Sequence, residues 1–469
     1  MMMIGSGKIC YSADGGKTWT QPQTLTEPID YALRLQSGKL GGPAPVQASN
    51  VALGKRDILY FYVSEDDGKS WKKRGRISVG DVPGSPYPKT MIQTRTGRLI
   101  LPVRFIDGAG HMGLYKAAGA FGFLNGALTM IEGHAHFPEP DNAFVFYSDD
   151  EGETWHRSEG GIMIWLNEGY GGMWPCDEPS IVEERDGDVV LYCRTSLGRI
   201  FTARSSESEE LRSGKLVKYK PGERFENPTA TSLASSYSPA AIQRIPKTND
   251  LLIVWNQVSG DEIRAGYRRG RLSSAVSRDD GRTWEHYRTI DTAVLPPAGR
   301  VEPDPEPRLA RALDFVGTLP PDYGGVDYPA INVVGDQVLL SWERSVVRRR
   351  PNDVVGRRMR VLPLSWFYQN EPPLAPGPRL LLSTLDETGK PAQSHEIPSV
   401  FYQGRFYCHL SDVAKYLKSP LGRLERDFCA PIEQVVTCLG WSPRLDTRKL
   451  NDPHGPHLLV LASKGRDSQ

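Results

Sequence analysis

The chain has 469 residues, with 57 Lys and Arg against 56 Asp and Glu, a hydrophobic fraction of 39% and a charged fraction of 24%. Such a composition suits a folded chain of two or three ordinary domains or one large repeat architecture. The charge balance gives no electrostatic case for a nucleic acid or membrane surface as partner, and no stretch approaches the roughly 20 apolar residues of a membrane span.

The opening "MMMIGSGKIC" has neither an apolar h-region nor a cleavage site, so no signal peptide is expected and the cytoplasm is the default location. An incomplete start that has lost a leader stays open. Six cysteines (Cys10, Cys176, Cys193, Cys408, Cys429 and Cys438) form no CxxC pair. They are expected to be buried free thiols in a reducing compartment, with no zinc site and no cofactor.

Directly after the opening comes "YSADGGKTW", and its pattern S-x-D-x-G-x-[ST]-W returns three times. The copies are Ser12/Asp14/Gly16/Thr18/Trp19, Ser64/Asp66/Gly68/Ser70/Trp71, Ser148/Asp150/Gly152/Thr154/Trp155 and Ser277/Asp279/Gly281/Thr283/Trp284. Each follows a short apolar run, "KIC", "ILYFYV", "AFVFY" and "LSSAV" in turn. The pattern reads as a hairpin turn. The Asp carboxylate accepts backbone N–H bonds across the loop, the Gly supplies positive φ, and the Trp re-enters the sheet.

Between these turns the chain repeats an apolar strand, a Gly/Asp turn and a second apolar strand. "YALRLQSGKL" with "DILYFYV", "KTMIQTRTGRLILPVRF" with "NAFVFY", "PSIVEERDGDVVLYCRTS" with "RIFTARSS", "PAAIQRIPKTNDLLIVWNQ" with "RLSSAVS", and "PAINVVGDQVLLSWER" with "MRVLPLSWFY" make five such units. The third of them has a decayed turn motif. Motif starts at 12, 64, 148 and 277 are too uneven for a simple solenoid and suit a β-propeller, whose loops take any length. The fold expected is all-β, a six-bladed propeller. "KICYSADGGKTW" has no inner strands before it, so residues 370–469, with "EIPSVFYQGRFYCHL" and "PHLLVLAS", are expected to complete the first blade of a propeller spanning 1–369. A small separate C-terminal domain is the alternative.

The four turns are those of the Asp-box, or bacterial neuraminidase repeat, and the chain resembles the sialidase superfamily from about residue 8 to 368. In "DEPSIVEERDGDVVLYCR", Glu178 and Arg194 stand sixteen residues apart, as the general base and one of three carboxylate-binding arginines do in that family. Arg269 lies eight residues before the last motif serine and matches a second arginine, with Arg268 and Arg271 as close competitors. "DYPAINVVGDQVLLSWE" resembles the nucleophile strand, so Tyr328 matches the nucleophile and Glu343 the acid that orients an arginine; Tyr323 competes for the first role. "GSPYPKTMIQTRTGRLILPV" matches a further inner segment of the family without carrying chemistry.

The resemblance implies a retaining exo-glycosidase releasing a terminal acidic sugar from a glycan or glycoconjugate. A tyrosine nucleophile escapes the repulsion that a carboxylate would meet from the sugar's own carboxylate, and arginines hold that group with paired hydrogen bonds. The acid would be an Asp, for which Asp412 in "HLSDVAKYL" is the best placed, although it equally suits a helix cap. The pattern fails where the family has its first-blade arginine, because "EIPSV" puts Glu396 there. Two rivals remain: a propeller glycosidase or lyase on another acidic sugar such as a uronate, and a carbohydrate-binding propeller that has lost its acid. His134 and His136 in "GHAHF" have no third metal ligand, and Trp165, Tyr170 and Trp174 suit either a sugar face or loop packing.

Overall fold

The structure is a computed structural model. It describes residues 1–5, 7–29, 31–45, 59–77, 90–106, 121–124, 127–130, 141–166, 172–174, 176–195, 197–258, 269–292, 324–346 and 356–370, then residue 388 and short strands between 375 and 462. Among these residues no helix is long and apolar enough to cross a membrane.

Six antiparallel sheets follow one another along the chain as the six blades of a propeller. Blade two is Leu33–Arg34, Leu40–Pro45, Leu59–Ser64 and Lys72–Ile77. Blade three is Ile92–Gln93, Leu99–Ile106, Asp141–Ser148 and His156–Arg157. Blade four is Asp177–Glu183, Val189–Arg194, Arg199–Ser205 and Thr229–Ala234. Blade five is Ala241–Arg244, Leu251–Asn256, Arg271–Ser277 and Glu285–Thr292. Blade six has three strands, Gly324–Val334, Gln337–Val346 and Gly356–Pro363, and ends in a 3-10 turn over Leu364–Tyr368.

Both faces of a blade are buried, which explains strands that are apolar at every position. In "LLIVWN", Leu251, Ile253 and Trp255 face blade four, while Leu252 and Val254 face blade six. Side chains alternate across a strand, so a run without alternation serves two neighbours. Similar apolar layers join blades one and two, two and three, and three and four.

The repeated turn is built as its residues require, and the same way each time. In the second copy, Ser64 Oγ donates to Asp66 Oδ1 at 2.8 Å and accepts from Gly68 N at 2.8 Å, while Asp66 receives Ser70 N at 2.8 Å and Ser70 Oγ at 2.6 Å. Trp71 Nε1 closes the turn on Gly68 O at 3.1 Å. Trp284 departs from this: its buried Nε1 has no hydrogen-bond partner among the described residues, and its ring meets Tyr192 edge-on at 6.3 Å.

Each motif glycine has positive φ and leans on the preceding blade. A β-carbon on Gly68 would come within 2.7 Å of Ile9, on Gly152 within 2.1 Å of Phe61, and on Gly281 within 2.1 Å of the Tyr192 hydroxyl. On Gly16 it would come within 2.8 Å of Val361, the outer strand of blade six, so the same contact closes the ring. Blade four proves to have a split motif where the sequence suggests a decayed one. Ser205 Oγ still accepts from Gly222 N at 2.8 Å, Gly222 still rests on the preceding blade at Ile100, and Phe225 packs where the Trp would be. A hairpin, Ser208–Arg212 with Lys215–Tyr219, has been inserted between the serine and the glycine.

Blade one contains the hairpin Met2–Gly5 and Lys8–Tyr11 with Gln23–Thr24 outside it, so a strand does precede "KICY". The expected strand–turn–strand at the far end is the hairpin Ser399–Tyr402 and Arg405–His409. Among the described residues the C-terminal strands pair only with one another, in two four-stranded sheets, one of which holds a parallel pair, Leu380–Leu385 beside Leu458–Ala462. Completion of blade one by residues 370–469 is therefore not seen in the hydrogen bonding and stays a proposal. The expectation of free thiols is corrected for one pair: Cys176, just before the strand Asp177–Glu183, and Cys193, on the strand beside it, have Cα atoms 5.2 Å apart and are disulfide-bonded, while Cys10 and Cys408 are buried. That pairing removes the cysteine argument for a reducing compartment.

Two outcomes test this construction. Gly160 has positive φ and open space around it, whereas Gly152 has positive φ and Phe61 against it. Gly160→Ala should cost about 1 kcal/mol of backbone strain in urea unfolding, and Gly152→Ala about 3 kcal/mol through added overpacking; equal costs would argue against the blade contact. Asp66 is held down at about 2, chiefly by the Ser70 hydroxyl, then by Ser70 N–H and the Ser64 hydroxyl. Its folded value lies below the unfolded one, roughly 3.9, so its stabilisation is full above about pH 4 and lost as pH falls through 2. Asp66→Asn should flatten the fall in Tm across that window; an unchanged slope would remove the motif carboxylate from acid stability.

Candidate active site

The innermost strands of blades four and six carry matching sequences, "DEPSI" and "DYPAI". Each carries a one-residue bulge at the same place. Pairing steps from Asp177 opposite Arg194 to Ser180 opposite Tyr192, and from Asp327 opposite Glu343 to Ala330 opposite Ser341. The following proline steers its predecessor away from the helical region. Here that predecessor takes positive φ, +35° at Glu178 and +50° at Tyr328. An extra residue in one strand re-aims a side chain, and non-glycine residues hold positive φ only where their surroundings enforce it.

The two bulges converge on one guanidinium. Arg194 Nη1 donates to Glu178 Oε2 and lies 3.5 Å from the Tyr328 hydroxyl, 134 residues away. Arg194 Nε is 3.7 Å from Asp177 Oδ2. Asp177, Glu178 and Arg194 are 0, 4 and 3% exposed, so the pair is cut off from solvent, while Tyr328 is half-buried. Burial works against the charge of Arg194, but Asp177, Tyr237, Glu178 and Tyr328 outweigh it and hold the guanidinium well above its ordinary pKa.

Blade five supplies the second cation. Arg269 Nη1 donates to Asp327 Oδ2 at 2.6 Å, Nη2 donates to the Tyr237 carbonyl at 3.0 Å, and its guanidinium lies 5.2 Å from the centre of the Tyr328 ring. Asn256 ties the strands behind the site: its Nδ2 donates to the carbonyls of Arg271 at 3.0 Å and Val326 at 2.6 Å, and its Oδ1 accepts from Ser238 Oγ at 2.6 Å.

Of the residues named from sequence, Tyr328, Glu178, Arg194 and Arg269 come together. Glu343 does not join them: it lies on the next strand, 3.7 Å from the half-exposed Arg357. Asp412, the side chain of Glu396, Tyr323, Tyr170, His134, His136, and the side chains of Trp165 and Trp174 lie outside the described residues, as does the rival Arg268. The rival Arg271 is buried, with Nε donating to the Gln257 carbonyl at 3.2 Å. Asp177, Asp327 and Tyr237 were missed. The repeated D-x-P frame, echoed by "YSPAAI" in blade five, is the signal that would have found them. A separate carboxylate group, Glu184, Asp186 and Asp188, could surround a cation, but Arg204 already bonds Glu184 and Asp188.

A family model for the BNR repeat-like domain matches residues 92–340, more than half of the chain. The chain belongs to that family. No curated protein matches it in sequence. Among solved structures it is similar to a Dyadobacter fermentans protein of unknown function, at 17% identity and a TM-score of 0.45, over 76% of this chain and 83% of that one. It is also similar to a Trypanosoma rangeli sialidase bound to sialic acid (15%, TM-score 0.39, 77% of this chain), of which it spans about half, 49%. A Fusarium graminearum α-L-arabinofuranosidase with arabinobiose is similar at 12% and 0.40, over 76% of this chain and 85% of that one.

In this BNR-repeat protein, removing the buried cation tests the cluster. Arg194→Met leaves Asp177 and Glu178 buried without it and should destabilise by about 3–5 kcal/mol in urea unfolding. Glu178→Gln in the same background should recover part of that loss; no recovery would mean that the pair is not coupled in the folded protein.

Proposed function

We propose that this chain is a glycoside hydrolase that releases a terminal acidic sugar, sialic acid-like, by a retaining mechanism with Tyr328 as nucleophile. The observation that carries the reading is the convergence of two strained D-x-P bulges, from blades four and six, on Arg194. Stability of a propeller does not require a buried carboxylate, a buried guanidinium and a tyrosine hydroxyl at one spot.

In this reading Tyr328 Oη attacks the anomeric carbon while its proton passes to Glu178. The bond to the leaving oxygen breaks as a separate acid, Asp412 in the sequence-based reading, protonates it. Water activated by the same acid then displaces the tyrosine, the proton returns from Glu178, and the configuration is retained. Arg194 favours the developing phenolate. Arg269, the more exposed of the two arginines, is the one placed to meet a sugar carboxylate.

One observation favours a second reading, a neutral sugar. Arg194 and Arg269 are already engaged by Asp177, Glu178 and Asp327, and three carboxylates against two guanidiniums do not attract an anion. The tyrosine weighs the other way, because a neutral sugar gives it no advantage over a carboxylate nucleophile.

Turnover of 4-methylumbelliferyl sialoside, glucuronide and neutral glycosides separates these readings. Sialoside release lowered at least about a thousandfold by Tyr328→Phe, at unchanged Tm, is the expected result. Release from neutral glycosides alone, lost with Glu178→Gln and kept with Tyr328→Phe, would replace the acidic sugar and the nucleophile together. A near-ultraviolet chromophore formed from a uronate polymer would identify a lyase, and glycan binding without turnover a binding module.

A further inference from the structure

Tyr237 lies on the connection between blades four and five and touches Asp177, Arg194 and Arg269. It is 6% exposed. Its hydroxyl donates to Asp177 Oδ2 at 2.9 Å, its ring lies 3.7 Å beneath the Arg194 guanidinium, and its carbonyl accepts from Arg269 at 3.0 Å. The same Asp177 oxygen is 3.7 Å from Arg194 Nε, too far for a hydrogen bond, and that buried Nε has no hydrogen-bond partner among the described residues. An arginine buried beside a carboxylate would ordinarily close on it with two parallel bonds. Here the tyrosine hydroxyl donates to the Asp177 oxygen that Arg194 Nε approaches, so the two donors compete for it.

We infer that Tyr237 is a positioning residue: by occupying Asp177 Oδ2 it holds Arg194 off Asp177 and leaves the guanidinium to Glu178 and Tyr328. This rests on the glycosidase reading for its catalytic consequence, but its geometric content does not. Without the hydroxyl, Asp177 Oδ2 loses a donor inside the protein, and Arg194 Nε stands 3.7 Å from it. Closing that gap draws the guanidinium away from Tyr328, whose hydroxyl is already at the limit of a hydrogen bond at 3.5 Å. The ring stays in Tyr237→Phe, so the cation–π face beneath Arg194 is kept and only the competition is removed.

Crystal structures of the wild-type protein and Tyr237→Phe test this directly, with kinetics on whichever glycoside the wild type cleaves. In the variant, Arg194 Nε should approach Asp177 to roughly 3 Å and Nη1 should withdraw from Tyr328. The expected kinetic effect is a kcat lowered about tenfold with KM within about twofold. Tyr237→Phe/Asp177→Asn removes the attraction as well as the hydroxyl; it should leave Arg194 near its wild-type place and restore kcat, and it serves too if the single variant folds poorly. An Arg194 that stays in place in Tyr237→Phe, or a double variant as slow as the single, overturns the inference. A wild type that cleaves no glycoside sinks the glycosidase reading, while the position of Arg194 still decides the role of Tyr237.

Discussion

Blades two to five of this propeller are sheets buried on both faces, and that constraint organises the molecule. A sheet with one wet face can end anywhere, whereas one with two dry faces needs a neighbour on each side and is complete only in a ring. The motif turns serve that requirement. Each brings a glycine against the preceding blade, where any side chain would collide, and the contact between Gly16 and Val361 carries the series across from blade six to blade one. The motif aspartates are exposed, or nearly so, and bond within their own turns. They shape the loop that lets the glycine approach, and they lie on strand connections away from the bulges at which Glu178 and Tyr328 sit.

Dry faces leave little room for polar side chains except at the ends of the inner strands, and there the chain departs from regular geometry. Blades four and six insert one residue before a proline and turn it to positive φ. In each case the preceding aspartate faces an arginine, Asp177 with Arg194 and Asp327 with Arg269. Blade five keeps the proline but has Tyr237 in the aspartate's place, and that tyrosine bonds to Asp177 on one side and to Arg269 on the other. The near-symmetry of the blades thus produces a collar of alternating acid and phenol in which each charge meets a neighbouring side chain.

How much of this is legible in the sequence follows from which patterns are local. The turn motif is local, five residues within eight, and from it come the blades, their number and the register that picks out Arg269. Glu178, Arg194 and Tyr328 are legible through a likeness whose spacing spans a single hairpin or strand. The split motif of blade four is not, because a hairpin stands between Ser205 and Gly222 and only the folded chain brings them back together. The Cys176–Cys193 bond is hidden for a related reason: a CxxC search looks along one strand, and this pair lies across two. Tyr237 is invisible to a search for matching roles because it takes part through its ring, its hydroxyl and its carbonyl at once. Glu343 does lie beside an arginine, as its spacing suggests, but that arginine is the half-exposed Arg357 on the outer strand of blade six.

The pairing of the two arginines sets the terms on which an anionic sugar would bind. Arg194 is buried between two carboxylates, and separating it from either would leave a charge in a dry interior, a loss of several kcal/mol that one sugar carboxylate does not offset. Arg269 is different. It is partly exposed, and among the described residues it has a single carboxylate partner, while its other bond goes to a backbone carbonyl. A sugar carboxylate reaching Arg269 would share the guanidinium with Asp327 rather than displace it, since a planar fork with five donors serves two acceptors. Among the described residues the anion therefore has one place to go, on the blade-five side of Tyr328, which would leave the face of the phenol towards Glu178 open for the anomeric carbon. A neutral sugar meets no such restriction and would be oriented by hydroxyl contacts alone. The geometry around Arg269 is thus what separates the two substrate classes, although the strained residues, Glu178 and Tyr328, lie elsewhere.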